Sequence, residues 1–503
     1  MTDCERRREY PRIPTPPPRP TEHRALLAGI LIVYASLVAW LAYHHEPWRD
    51  EADAWLMARD ASLGELLHIM GAAGTPSLWY FLQIPFAKLG APFAVQAALN
   101  WLVSVVAAGL FLFHARLPLA IRVLFLFGYF MAFEYSVVAR SYALSLALLF
   151  AAAALYRNRE RHPVLFGAAV GLAANTNVHS FFIANALAAL LLWECLRARF
   201  RAPQRTALLV ASAGILAAFL QLLPPKDGQM TSFFASFGPG NLVRGVKLAF
   251  VPTQYGTWAF VLGLAALASS LLTLLARPKA LLFAALAYTA FGYLFVFKYV
   301  SFTRHFGFIL VILLLALWLA EEEPENDWVA RLVPSPERRV QLQRAAFALL
   351  GTSLALSVYF AAVTWRADLT KHFSDAPDMA AYLKQNGLDR RRIASNPAGW
   401  GTSILAYFPN LAFYYPALGE TRTHMKWDKS YNDAALVPHA EAIRLLKARF
   451  PDWSDPERGI LLVLANGALE HPEQYGYRLR YATPGNLFEH LDERFYLYEP
   501  ESR

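Results

Sequence analysis

The sequence predicts an all-α polytopic membrane bundle of about eleven transmembrane helices with interfacial helices, followed by a small C-terminal α/β extramembrane domain. Three observations predict it. Of the 503 residues, 56% are hydrophobic and only 17% charged, with a mean hydropathy of +0.29, a balance that suits a chain whose main solvent is lipid. Apolar runs of roughly bilayer-crossing length recur between Ala25 and Val363. Beyond about Trp365 the pattern changes to interspersed charges, turn formers and short apolar runs.

Residues 1–24 form an Arg- and Pro-rich tail (Arg6, Arg7, Arg8, Pro16, Pro17, Pro18). No small-residue cleavage site follows the next apolar run, so this reads as a cytoplasmic tail and a retained first span rather than a cleaved signal. Spans are expected near 25–43, 92–113, 119–133, 142–156, 163–174, 181–195, 207–223, 258–276, 280–297, 306–320 and 345–363. The run Pro76 to Lys88 contains Gln83 and Pro85 and is short, which suits an interfacial or re-entrant helix.

Leaving that run out places the Arg clusters at 6–8, 116 and 122, 157–161, 197–205, 277 and 338–339, with Lys279, on the cytoplasmic side, as the positive-inside bias requires. The domain reading is therefore a tail at 1–24, a transmembrane domain at 25–364 with an outer loop at 44–90, and a periplasmic domain at 365–503. In the last, Glu441 to Phe450 reads as helix and Gly459 to Ala465 as a short apolar run. The expected location is a bacterial inner membrane, with the N-terminus cytoplasmic. The net charge of +9 is mostly scattered Arg between apolar runs, which topology explains better than nucleic acid. Cys4 and Cys195 are the only cysteines, and no disulfide is expected.

The segment His44 to Trp55 packs four carboxylates, two imidazoles and two Trp into twelve residues just outside the first span. Acids at the edge of a low-dielectric site tend toward a raised pKa, and can deprotonate an acceptor or help hold a metal. The Trp rings can stack on a sugar or sit at headgroup level.

Here the chain resembles the integral-membrane glycosyltransferases with the C-type fold, which include protein O-mannosyltransferases and lipid A aminoarabinose transferases. Asp50-Glu51 is similar to their acidic pair in the first outer loop. Thr75-Pro76-Ser77-Leu78 looks like the His-Pro-Pro-Leu segment that often follows, with Thr75 and Ser77 in place of its His and second Pro. The resemblance implies that Asp50 is the general base toward the acceptor, with Glu51 beside it, and that an inverting single displacement takes a sugar from a polyprenyl-phosphate carrier.

Phe133 to Tyr142 resembles the second outer loop of that superfamily. Arg140 can bind the carrier phosphate with Tyr142 nearby, and Glu134 can join Asp50 at the acceptor or a metal, or else pair with Arg140 and merely fix two helices. Lys298, Arg304 and His305 lie on the outer side against the positive-inside trend, which a carrier phosphate or headgroup anchoring explains. His179, in the polar hexad 175–180, can bind substrate, complete a metal site, or act as a helix cap. The outer loop Lys226 to Tyr255 reads as a cover over the acceptor site.

No Walker sequence, Rossmann fingerprint, paired Cys motif or HExxH occurs, so a lipid-linked donor is favoured over a nucleotide sugar. No cofactor is required by these residues, although a divalent metal is compatible with them, and the expected partners are the lipid-linked donor and membrane lipids. The rival reading is a polytopic transporter or lipid flippase. Its midplane charges and repeated halves are not seen in the pattern.

Overall fold

The structure is a computed structural model that describes residues 21–501 apart from 198, 227–237, 239, 254–255, 299–301, 325, 327–332, 334 and 456–457. Helix α1 (Thr21–His44) is apolar on nearly every side and exposes Ile32, Val33 and Trp40. In water that exposure would cost about 25 cal/mol per Å²; against lipid it costs nothing. Three short helices follow, α2 (Arg49–Asp60), α3 (Leu63–Ala73) and α4 (Leu78–Lys88). At 11 residues α4 rises only ~16 Å, about half a bilayer, so the run at 76–88 is not a span.

The bundle continues through α5 (Val95–His114), α6 (Leu119–Leu126), a π-helical turn at Phe130–Glu134, α7 (Tyr142–Tyr156), α8 (Pro163–Ala174), α9 (Val178–Arg197), α10 (Ala202–Gln221), α11 (Gly240–Phe250), α12 (Thr257–Thr273), α13 (Pro278–Phe297), α14 (Thr303–Ala320) and α15 (Pro336–Thr370). Among the described residues, eight helices, namely α1, α5, α9, α10 and α12 to α15, are long and apolar enough to cross a membrane. The other three expected spans are shorter elements. α6 breaks into the π-turn, where Ser357 Oγ accepts from Tyr129 N at 3.1 Å, and α8 is confined to 12 residues between Pro163 and the polar turn at Asn175. Apolarity alone measured the runs; the turn residues set their lengths.

Helix α14 runs through the middle of the bundle, buried along its whole length after Thr303 and Arg304. Helices α8 and α10 touch backbone to backbone: a Cβ on Gly214 would lie 2.5 Å from Gly171 Cα, the small-residue contact that membrane helices use for close approach. The expected cover at 226–255 lies largely outside the described residues. Its described part is corrected to helix α11, which buries Gly245, Val246, Leu248, Ala249 and Phe250 against α12 and α14.

After α15 come α16 (Ala376–Gln385), β1 (Ile393–Asn396), α17 (Thr402–Leu405), β2 (Phe413–Tyr415), β3 (Glu420–Arg422), α18 (Lys429–Ala435), α19 (His439–Arg449), β4 (Leu461–Ala465), β5 (Tyr477–Ala482) and β6 (Phe495–Pro500). The sheet order is β3-β2-β1-β4-β6-β5. β1 runs parallel to β2 and β4, while β6 is antiparallel to β4 and β5. β4 is buried throughout, as a central strand covered on both faces must be. The turn after β1, through Gly399 and Thr402, packs on α2 of the membrane region.

Candidate active site

The site begins with how α2 starts. Glu51, one turn in, is buried; its Oε2 accepts from Trp48 N at 3.2 Å and its Oε1 from Ala139 N at 2.6 Å. One carboxylate thus caps its own helix and pins it to the loop after the π-turn. Behind it, His45 lies between Glu51 Oε2 at 3.3 Å and Asp368 Oδ1 at 3.1 Å. Burial pushes the His45 pKa down, but the two flanking carboxylates outweigh it and hold the ring well above its ordinary value.

Pinning α2 in this way brings Asp50 to Arg140. Arg140 Nη1 donates to Asp50 Oδ2, and Arg304 Nη2, from the N-terminal end of α14, donates to the same oxygen at 3.4 Å. The three side chains are 17–25% exposed, so they line an open recess rather than a sealed core. The Arg304 guanidinium also lies over the Trp48 ring at 5.2 Å and the Phe302 ring at 5.1 Å. Trp48 in turn stacks on His490 at 3.6 Å, and Arg49 pairs with Asp492 at 2.7 Å. The segment 485–493 of the C-terminal domain therefore straps across the site.

The expected raised pKa of the acid is corrected at Asp50. Burial pushes it up, but Arg140, Arg304 and Arg49 outweigh burial and hold it well below the usual carboxylate range. Asp53, one turn further along the same face of α2, behaves oppositely. It accepts from Trp427 Nε1 at 2.7 Å and Met425 N at 3.4 Å, and burial pushes its carboxyl up to about 7. Asp50 and Asp53 line a small recess with Arg49, Thr402, Trp427 and Tyr431.

The remaining predicted residues divide. Glu134, buried at the end of the π-turn, accepts from Tyr129 Oη at 2.7 Å, and Arg140 pairs with Asp50 instead of with it. Tyr142, His179 and His305 form an aromatic layer beside the recess: His179 stacks on His305 at 4.7 Å and on Phe308 at 5.3 Å, and Tyr142 meets His305 at 6.3 Å. His305 Nδ1 accepts from Phe302 N at 3.1 Å. The cap in the polar hexad is Asn177, whose Oδ1 accepts from Ser180 N at 2.9 Å, rather than His179. Lys298 lies over Tyr293 of its own helix, 5.9 Å from the ring.

Sequence reasoning missed His490, Arg49, Asp492 and Asp53 as site residues. Asp53 was within reach, since i and i+3 share a helix face. His490 was not, because only tertiary folding carries it to Trp48. Arg140 and Arg304 both bind the Oδ2 oxygen of Asp50, so two guanidinium groups converge on one carboxylate oxygen.

The site thus sits at one end of a helical bundle roofed by an α/β domain. The chain shares that fold with ArnT from Cupriavidus metallidurans. The crystal structure of ArnT bound to undecaprenyl phosphate matches with a TM-score of 0.54 at 12% identity, covering 95% of this chain and 98% of that one. The apo structure matches with a TM-score of 0.56 at 13% identity over the same shares. No protein-family model matches the chain, and no curated protein matches it.

Proposed function

We propose that this chain is an inverting glycosyltransferase that moves a sugar from a polyprenyl-phosphate carrier to an acceptor at the outer face of a bacterial inner membrane. The observation that carries the reading is Asp50, held by Arg140 and Arg304 in an open recess at the helix ends. It is supported by a fold shared with a protein crystallised with undecaprenyl phosphate.

The pairing accounts for how a carboxylate with a depressed pKa serves as a base. In the resting site its charge is consumed by two guanidinium groups. The carrier phosphate, which offers several oxygens to the guanidinium groups, takes up Arg304 and then shares Arg140, and Asp50 regains basicity as they turn away. The acceptor heteroatom forms a bond to the anomeric carbon as the bond from that carbon to the phosphate oxygen breaks. The acceptor proton passes to Asp50, the electron pair leaves with the polyprenyl phosphate, and the two arginines stabilise its charge. Trp48, buried under His490 and Arg304, holds the strap and Arg304 in place beside Asp50. Glu51 positions Asp50 by fixing the first turn of α2. Tyr142, His179 and His305 shape the wall beside the arginines, and Glu134 orients Tyr129 there.

The test is transfer of radiolabelled sugar from a panel of synthetic polyprenyl-phosphate sugars to membrane extract. Wild type should transfer, and Asp50→Asn should lose at least ~100-fold, the scale of a positioned base. No donor consumed by wild type, or equal transfer by the variant, removes the reading and favours transport.

A further inference from the structure

Among the described residues outside the Asp50 site, one group of side chains has the composition and spacing of metal ligands. His372 lies two residues beyond α15, Asp375 sits at the N-cap of α16, and Asp378 is in the first turn of that helix. His372 Nδ1 is 3.1 Å from Asp375 Oδ1 and 3.3 Å from Asp378 Oδ2. Neither carboxylate oxygen receives a hydrogen bond, although both atoms are shielded from solvent and Asp375 is wholly buried. Such oxygens are normally satisfied.

Asp375 is also in the place of a helix cap without acting as one. Ser374 Oγ takes the Ala376 N–H at 3.1 Å, while Asp375 turns its Oδ1 toward His372 and its Oδ2 toward Gly485 N at 2.8 Å. The outward oxygen is thereby aimed and braced from behind, as ligand carboxylates are.

From this geometry we infer that His372, Asp375 and Asp378 bind a divalent cation of the zinc class. Tetrahedral zinc with bonds of about 2.0–2.2 Å sets its ligand atoms about 3.3–3.5 Å apart, and the two His–Asp separations fall within a few tenths of an ångström of that edge. A nitrogen with two carboxylate oxygens suits Zn²⁺ better than the all-oxygen shells of Ca²⁺ or Mg²⁺. The His372 and Asp378 side chains are 32% and 37% exposed, so the ion has a path from solvent and room for water as a fourth ligand.

The ion acts as a tie. His372 N donates to Asn486 O at 2.8 Å, and Phe488 N donates back to His372 O at 3.3 Å, so the ligand set is laced to the strap at 485–493 that carries His490 and Asp492. Joining residue 372 to α16 therefore fixes the strap over Trp48 and Arg49. The inference does not depend on the sugar-transfer reading.

The experiment uses full-length protein in detergent, stripped with a chelator and titrated with Zn²⁺ by calorimetry and with Co²⁺ by visible absorption. Wild type should take up about one ion per chain with a Kd below ~1 µM and show the intense cobalt bands of a four-coordinate site. Asp378→Asn and His372→Gln should each weaken binding at least ~10-fold, with Asp452→Asn, a surface carboxylate paired with Arg392, as the control that does not. Zinc should also protect His372 of wild type from diethyl pyrocarbonate, read by peptide mass, a measurement that needs no variant to fold. An absence of Zn²⁺ and Co²⁺ binding below ~100 µM, unchanged binding in both variants, or no protection of His372 overturns the inference and leaves a histidine held by two carboxylates.

Discussion

Replacing Asp50 with Asn removes the proposed base and also removes a competitor for the two arginines. In the resting recess the Asp50 carboxylate occupies the two guanidinium groups assigned to the carrier phosphate, so the phosphate must displace it. At the 3.4 Å separation of Arg304 Nη2 and Asp50 Oδ2, and an effective dielectric of about 20, the pair attraction is ~5 kcal/mol. Much of that is lost to screening, since the side chains are 17% and 19% exposed, and Arg140 still engages whichever anion is present. A net gain of about 1–2 kcal/mol in carrier binding is expected, or ~5- to 30-fold in Kd. Calorimetric titration with undecaprenyl phosphate in detergent, at about 0.15 M salt, measures it. Asp50→Asn should bind the carrier more tightly while transferring sugar at least ~100-fold more slowly. Equal or weaker carrier binding by the variant would refute the exchange of carboxylate for phosphate.

Arg304→Gln keeps the Arg140–Asp50 pair, so the protein should fold, yet lose one charge-assisted contact of about 1.5–3 kcal/mol and thus ~10- to 150-fold in kcat/KM for the donor; unchanged kinetics would remove Arg304 from the phosphate site. Glu51→Gln places an amide N–H₂ where the carboxylate oxygens face Ala139 N and Trp48 N, at a cost of about 1–3 kcal/mol, and an unaltered unfolding temperature would contradict the bracing role. Asp53 and Glu493 are buried with carboxyls pushed up to about 7, so their folded pKa values stand above the unfolded ones near 4. Stability from their neutral forms is fully present below about pH 4 and is lost as pH rises through about 7; His45 acts in the same sense, and Asp50 in the opposite sense only at far lower pH. Unfolding temperature in detergent should therefore fall from pH 5 to pH 8, and a rise across that window would count against the burial of these acids. Gly214→Val should separate α8 from α10 and lower the unfolding temperature, with a destabilisation of about 1–3 kcal/mol for overpacking; an unchanged melt would show that the two helices do not meet at Gly171.

The bundle was legible because lipid-facing helices advertise themselves by composition, as Ile32, Val33 and Trp40 on α1 do. The lengths of α6 and α8 were not, because they depend on where Gly128, Pro163 and Asn175 interrupt runs that hydropathy alone would continue. Asp50, Arg140 and Arg304 stood out as charges on outer turns. Their mutual contact, and with it the depressed pKa of Asp50, arises between residues 90 and 254 positions apart along the chain. Glu51 reads as a second acid in a motif, yet its spacing from Trp48 is that of a helix cap. Trp is not a capping side chain, so the pattern was hidden. In the α/β domain a helix near 441–450 was readable, whereas the parallel pairing of β1 with β4 joins segments with no shared local signal.

The strap that closes over the recess lies about 440 residues along the chain from Trp48 and Arg49, which it contacts. At ribosomal rates of about 5–20 residues per second, His490 follows Asp50 by roughly 20–90 s. Throughout that interval the nascent protein holds its acidic loop and, later, both arginines, but nothing to stack on Trp48 or to pair with Arg49. A product that stops before His490 lacks this closure, so the recess is completed only by a segment made long after the residues it covers.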